Sequence, residues 1–184
     1  MRVFVAVVPP AEALDHLAEF LEPRRDVEGP RWSPPDQWHL TLAFMPSAPD
    51  RVVEPMLDKV AAAASGRAPV DLVIAGGGCF PGVDRARVLW AGVHGAERLT
   101  PLARAVRSAC AVVGAAPEGG PFRAHLTLAR FARPLDASRW VRVLDTYEGP
   151  GWRAEEVVVV ESHLPRERGH RPQYEVLARP PLGR

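Results

Sequence analysis

Among its 184 residues the sequence has two cysteines, one lysine and four threonines. Cys79 and Cys110 stand apart, with no CxxC pair, which disfavours both a disulfide framework and a cysteine zinc centre. The formal net charge is only +1, so no global basic field would draw the chain onto bulk nucleic acid. Any nucleic-acid contact is expected to be local, such as a strand end held in a cleft. Lys59 is the single lysine; arginine is abundant alongside alanine, glycine and proline, a compositional bias, so each arginine has to be judged by position. No stretch approaches the roughly 18 apolar residues of a membrane span, and Met1–Pro10 is shorter than the apolar core of a signal peptide. A soluble, cytoplasmic protein with no membrane partner is expected. Apolar residues make up 47%, enough for a real interior, and the 15 glycines and 20 prolines stay below low-complexity levels. A single structural unit over residues 1–184 follows.

That unit is internally repeated. Arg2–Ala18 aligned on Arg87–Ala103 matches at nine of 17 positions, far beyond chance for this composition. Downstream the pentapeptide HLTLA occurs twice, at His39–Ala43 and His125–Ala129. The repeats run over about 2–75 and 87–161. In each, a β-branched run (Val3–Val8, Val88–Val93) predicts a strand, and apolar residues at helical spacing (Leu14, Leu17, Leu21; Leu99, Leu102, Val106) predict a helix. Proline-rich loops at 30–35 and 117–121 lead into the HLTLA strands. Further helices are expected at 51–64 and 137–146, and further strands at 70–75, 157–161 and 174–178. Gly76-Gly77-Gly78 and the segment 165–172 read as turns or loops. The mixed order predicts an α+β fold of two lobes related by a pseudo-twofold axis, with two antiparallel or mixed sheets facing a central cleft and helices outside.

Side chains alternate along a strand, so His39 and Thr41 share one face, as do His125 and Thr127, while the leucines between them face a core. Twofold-related lobes would bring two histidines and two threonines together across the cleft. An imidazole pair near neutrality can hold one neutral and one protonated member, the combination that acid–base catalysis requires. A threonine hydroxyl two residues away offers a hydrogen bond to a phosphate oxygen. The constellation suits cleavage or transfer at a phosphodiester lying between the lobes, by chemistry that calls for no metal or other cofactor. Two of the four threonines sit in these motifs, which favours function over packing.

The segments His39-Leu40-Thr41-Leu42-Ala43-Phe44 and Pro121-Phe122-Arg123-Ala124-His125-Leu126-Thr127-Leu128-Ala129-Arg130 resemble the 2H phosphoesterase superfamily. Within it they are similar to the RNA 2′,3′-cyclic phosphodiesterases, the 2′-5′ RNA ligase-like proteins. The opening strand with Pro9 and the closing Glu161-Ser162 and Tyr174–Leu177 segments extend the resemblance over essentially the whole chain. Met45-Pro46 departs from the Leu-Gly often found there. The resemblance implies a bilobal fold and hydrolysis of a terminal 2′,3′-cyclic phosphate to a 2′-phosphomonoester. It makes His39 the proton donor to the departing O3′ and His125 the proton acceptor that activates water; the near-symmetry of the motifs leaves this order open on the residues alone. Some members also join RNA ends through a 2′-5′ linkage. Arg130 matches an arginine with a phosphate role, although strict alternation points it away from His125 unless the strand ends or bulges. Its counterpart in the first repeat is Phe44.

Other features carry less. His16, His94, His163 and His170 lack metal-ligand spacing with a carboxylate, and no metal site is expected. Arg166, Arg168 and Arg171 form a loop that could follow an RNA backbone or simply be solvated. Among the five tryptophans, any of which could stack a base, Trp38 shares the core-facing parity of Leu40. The expected partner is RNA bearing a 2′,3′-cyclic phosphate end, bound by a monomer. The alternatives are a phosphodiesterase for a small cyclic nucleotide, or a non-catalytic binder of phosphorylated RNA or nucleotide ends.

Overall fold

The computed structural model describes residues 1–183; Arg184, the last residue of the expected unit, lies outside the described residues. In chain order the strands are β1 (Val3–Val7), β2 (Pro30–Trp32), β3 (Leu40–Met45), β4 (Val70–Phe80), β5 (Ala86–His94), β6 (Leu126–Leu135), β7 (Glu148–Ala154), β8 (Val158–His163) and β9 (Gln173–Ala178). The α-helices are α1 (Ala11–Leu21), α2 (Asp50–Ser65), α3 (Thr100–Val112) and α4 (Ser138–Leu144). The strands form one sheet in the order β7-β4-β5-β6-β3-β1-β8-β9, with β2 paired to β6 beside β3. All pairings are antiparallel.

The two expected sheets are therefore two halves of one sheet. They meet where β3 and β6 pair through Leu40 and Leu126. The halves also exchange elements. β4, from the first repeat, pairs with β5 and β7, whereas β8, from the second, pairs with β1 and β9. Helix α1 packs on β7, α4 on β4, and α3 on β3 and α2, so both repeats contribute to both halves.

The helix-covered face holds the main core, in which Val3, Val5, Val7, Leu40, Leu42, Leu126 and Leu128 meet Leu14, Leu17, Leu99, Leu102 and Val106. Trp38 is fully buried there and its indole N–H donates to the Ser33 carbonyl at 3.1 Å, as its parity with Leu40 predicts. On the opposite, cleft-side face, Phe4, Ala6, Val158 and Val160 form a smaller apolar cluster with Phe44.

Two loop assignments are corrected. Gly76-Gly77-Gly78 is not a turn; β4 runs through it to Phe80. The register against β5 shifts between Ile74 and Gly77, and Gly76 takes φ +64°, so the first glycine forms a bulge. The other two permit close approach: a Cβ on Gly77 would lie 2.5 Å from the Trp90 carbonyl oxygen, and one on Gly78 would lie 2.5 Å from the Trp90 ring. The proline-rich segment at 30–35 begins as strand β2, because β6 continues past β3 and leaves backbone groups free to pair. Strand β7 lies hidden behind Gly149-Pro150-Gly151, residues tolerated because it is an edge strand. Among the described residues no helix is long and apolar enough to cross a membrane.

Candidate active site

The cleft lies over the junction of β3 and β6. The Leu40–Leu126 pair is antiparallel, so continuing its register by one residue sets His39 against Thr127 and Thr41 against His125. Directly opposed residues share a face, which gathers all four side chains in one wall of the cleft. The structure thus brings together the two histidines and two threonines singled out in the sequence.

Each motif strand contains a bulge at the same place. Opposite β1, the register skips Leu42, passing from Ala43 paired with Val5 to Thr41 paired with Ala6. Opposite β5, it skips Leu128 in the same way, from Ala129 paired with Leu89 to Thr127 paired with Trp90. Leu42 and Ala43, and likewise Leu128 and Ala129, are consecutive buried residues. The bulge reverses the alternation, so Arg130 returns to the cleft, which it lines beside His125 and Thr127. In the other half the same reversal presents Phe44, whose ring carries the Arg2 guanidinium at 4.6 Å. The cleft wall thus carries a guanidinium from the second motif strand and, from the first, an aromatic ring capped by another guanidinium.

Both histidines have a fixed tautomer. The His39 Nδ1–H donates to the Gln37 carbonyl at 2.7 Å, and the His125 Nδ1–H to the Arg123 carbonyl at 2.6 Å. Because a carbonyl oxygen only accepts, Nδ1 must carry hydrogen in each ring, leaving Nε2 as the nitrogen that gains or loses a proton. Burial holds His39 below its ordinary pKa; the bond to Gln37 opposes this, and the neighbouring His125 charge adds to the lowering. Burial likewise lowers His125, opposed by the Arg123 carbonyl and reinforced by the Arg130 charge.

The flanks of the two imidazoles differ. Phe4 stacks on His39 with ring centroids 4.5 Å apart, and Tyr174 meets it edge-on at 5.8 Å. His125 instead meets Phe80 edge-on at 4.9 Å and Trp90 at 6.3 Å. Burial raises the Tyr174 phenol, partly offset by the charges of Arg130 and Arg2. No local sequence signal sets these residues beside the histidines, because they reach them from other strands of the sheet. Trp32 is the one tryptophan in the cleft wall, and Arg31, Gly169, His170 and Arg171 also line it. Arg166 and Arg168 do not.

A second cluster was missed. His163 Nε2 lies 3.3 Å from Glu175 and 3.7 Å from Glu161, with the three donor atoms within 4.8 Å of one another. The donors come from two paired strands, so no local spacing announces them. Alternation places them on the sheet face opposite Ser162 and Tyr174, which line the cleft.

The family described as the 2′-5′ RNA ligase superfamily matches residues 10–166. A Thermus thermophilus protein named RNA 2′,3′-cyclic phosphodiesterase is 32% identical over 183 residues, covering 96% of this chain and 88% of that relative. One of the same name from Geobacillus stearothermophilus is 32% identical over 128 residues, 69% of this chain, and the match spans 41% of that relative's length. Among solved structures, the Thermus thermophilus protein TT0787 superposes with a TM-score of 0.81 at 30% identity, covering 99% of this chain and 98% of that one. Apo LigT of E. coli gives 0.77 at 26% identity, covering 100% and 98%.

Proposed function

Given that the chain belongs to the 2′-5′ RNA ligase superfamily, we propose that it hydrolyses 2′,3′-cyclic phosphate ends of RNA to 2′-phosphomonoesters. The observation that carries this reading is the pair of Nε2 nitrogens in one cleft, each freed for proton transfer by an Nδ1–H held on a backbone carbonyl. The names of the relatives support the same substrate.

With the cyclic phosphate over Thr41 and Thr127, His125 Nε2 takes a proton from water as the water oxygen bonds to phosphorus. The bond to O3′ breaks, and protonated His39 Nε2 delivers its proton to that oxygen. One P–O bond forms and one breaks; His125 ends protonated and His39 neutral, and solvent exchange restores the pair. Arg130 and the threonine hydroxyls hold the non-bridging oxygens as charge builds on them. With a ribose 5′-hydroxyl in place of water, the same step, P–O3′ breaking as the new P–O5′ bond forms, would join ends through a 2′-5′ linkage.

The test is incubation with an oligoribonucleotide ending in a 2′,3′-cyclic phosphate, in EDTA, with 2′- and 3′-phosphate products resolved. A 2′-phosphate product is expected. A 3′-phosphate would reverse the leaving group, and binding without turnover would make the cleft a receptor for phosphorylated ends.

A further inference from the structure

The two bulges leave the Leu42 and Leu128 carbonyls at irregular points of the sheet, and each is engaged by a residue of the other repeat. Leu128 O accepts from the Ser33 backbone N–H at 2.9 Å, and Ser33 belongs to the segment that runs on to His39. Leu42 O accepts from Arg107 Nε at 3.0 Å, and Arg107 Nη1 also donates to Gly120 O at 2.7 Å. Gly120 belongs to the loop that runs on to His125, and two residues before it the Glu118 N–H bonds Phe44 O at 2.7 Å. The approach to each histidine is thus fastened to the strand that carries the other. For His39 the fastening is the β2–β6 pairing and the Ser33 bond, both backbone. For His125 the backbone bond from Glu118 is joined by a side-chain bridge from Arg107.

We propose that Arg107 is a positioning residue for the proposed reaction: from α3 it ties the bulge of the His39 strand to the approach loop of His125, and so fixes one imidazole relative to the other. The inference rests on the two-histidine reading of the cleft. It draws on the bidentate reach of a guanidinium, which a lysine ammonium cannot reproduce in the same two directions. Released from Arg107, the loop from Gly114 to Ala124 keeps the Glu118 bond, while His125, whose Nδ1 is held by that loop's Arg123 carbonyl, loses its fixed aim. A misplacement of about 1 Å in an acid–base pair costs up to about a hundredfold in rate.

The test compares wild type, Arg107→Ala and Arg107→Lys in turnover of the cyclic-phosphate oligonucleotide and in NMR titration of the histidine ring protons. Arg107→Ala is expected to lower kcat by about ten- to a hundredfold with KM within about twofold. Arg107→Lys should recover only part of that loss, and millimolar guanidinium should restore activity to Arg107→Ala. In the titration His125, which faces Arg130 and His39, should shift from its wild-type value as the hold of the Arg123 carbonyl on its Nδ1–H loosens. Unchanged kcat in Arg107→Ala, or a loss of kcat with both histidine titrations unaltered, would overturn the proposal. If Arg107→Ala does not fold, Arg107→Lys carries the same comparison. The titration needs no substrate, so its outcome stands apart from whether RNA ends are the substrate.

Discussion

Leu40 faces Leu126 across the antiparallel pair that joins the halves of the sheet, and neither is exposed to solvent. The site is a consequence of that pair. The motif residues on either side of it, His39 and Thr41 on one strand and His125 and Thr127 on the other, must point away from the core into the cleft. The leucines that fix the register and the histidines proposed to do the chemistry therefore alternate along the same few residues.

Removing either imidazole should abolish turnover without unfolding the protein. His39→Ala and His125→Ala are each expected to lower kcat by about a thousandfold, within the range for loss of a positioned acid or base. Circular dichroism and a urea melt would confirm the fold. Full activity in both variants would dismiss the acid–base pair.

The pH dependence has a definite sign. Both imidazoles lie below their ordinary value, so in the free protein at pH 7 both are largely neutral. Turnover needs one protonated and one neutral ring, a form that becomes more populated as pH falls below 6.5. A bell-shaped kcat/KM with its maximum below pH 6.5 is expected, and a flat profile from about pH 5 to 9 would contradict it. Stability should run the other way. The unfolded chain takes up the His39 proton first as pH falls, so the native state loses stability between pH 6.5 and the lower native value. In urea melts across that window, His39→Gln should flatten the slope.

Much of this was legible in the sequence because the signals were local and doubled. The HLTLA pentapeptides and the β-branched runs Val3–Val8 and Val88–Val93 each occupy a few consecutive residues, and period two alone set the histidines and threonines on one face. What stayed hidden depends on partners far along the chain. Phe4 and Tyr174 reach His39 from β1 and β9, and the exchange of β4 and β8 between halves leaves no local mark. Gly76–Gly78 misled because glycine marks turns and close packing alike; only the position of Trp90 decides between them. The direction of Arg130 turned on a bulge that alternation could pose as a condition and only the β5 register could settle.

Gly78 should tolerate no side chain. A Cβ there would sit 2.5 Å from the Trp90 ring, and Trp90 lies beside both Phe80 and His125. Gly78→Ala is expected to destabilise the protein by about 1–3 kcal/mol, as overpacking does, and to lower kcat by shifting the indole against His125. Urea melts and kinetics on the same preparation check both effects. Gly119→Ala is the control, since nothing lies within 4 Å of its Cβ position and neither quantity should change.

Arg130 offers a way to decide which histidine is the base. Losing its charge-assisted bonds to phosphate should cost about 1.5–3 kcal/mol, a fall in kcat/KM of about ten- to 150-fold in Arg130→Ala. The same charge holds His125 down, so its removal lets the His125 pKa rise. If His125 accepts the proton from water it must be neutral to act, and the acid limb of kcat/KM should then move to higher pH in Arg130→Ala. If His125 is the donor it must be protonated, and the alkaline limb should move up instead. Arg130→Lys, which keeps the charge but loses the planar fork, should lose rate with little movement of either limb. A shift of the acid limb would assign the base to His125 and leave His39 as the acid; a shift of the alkaline limb would exchange the two roles while preserving the chemistry.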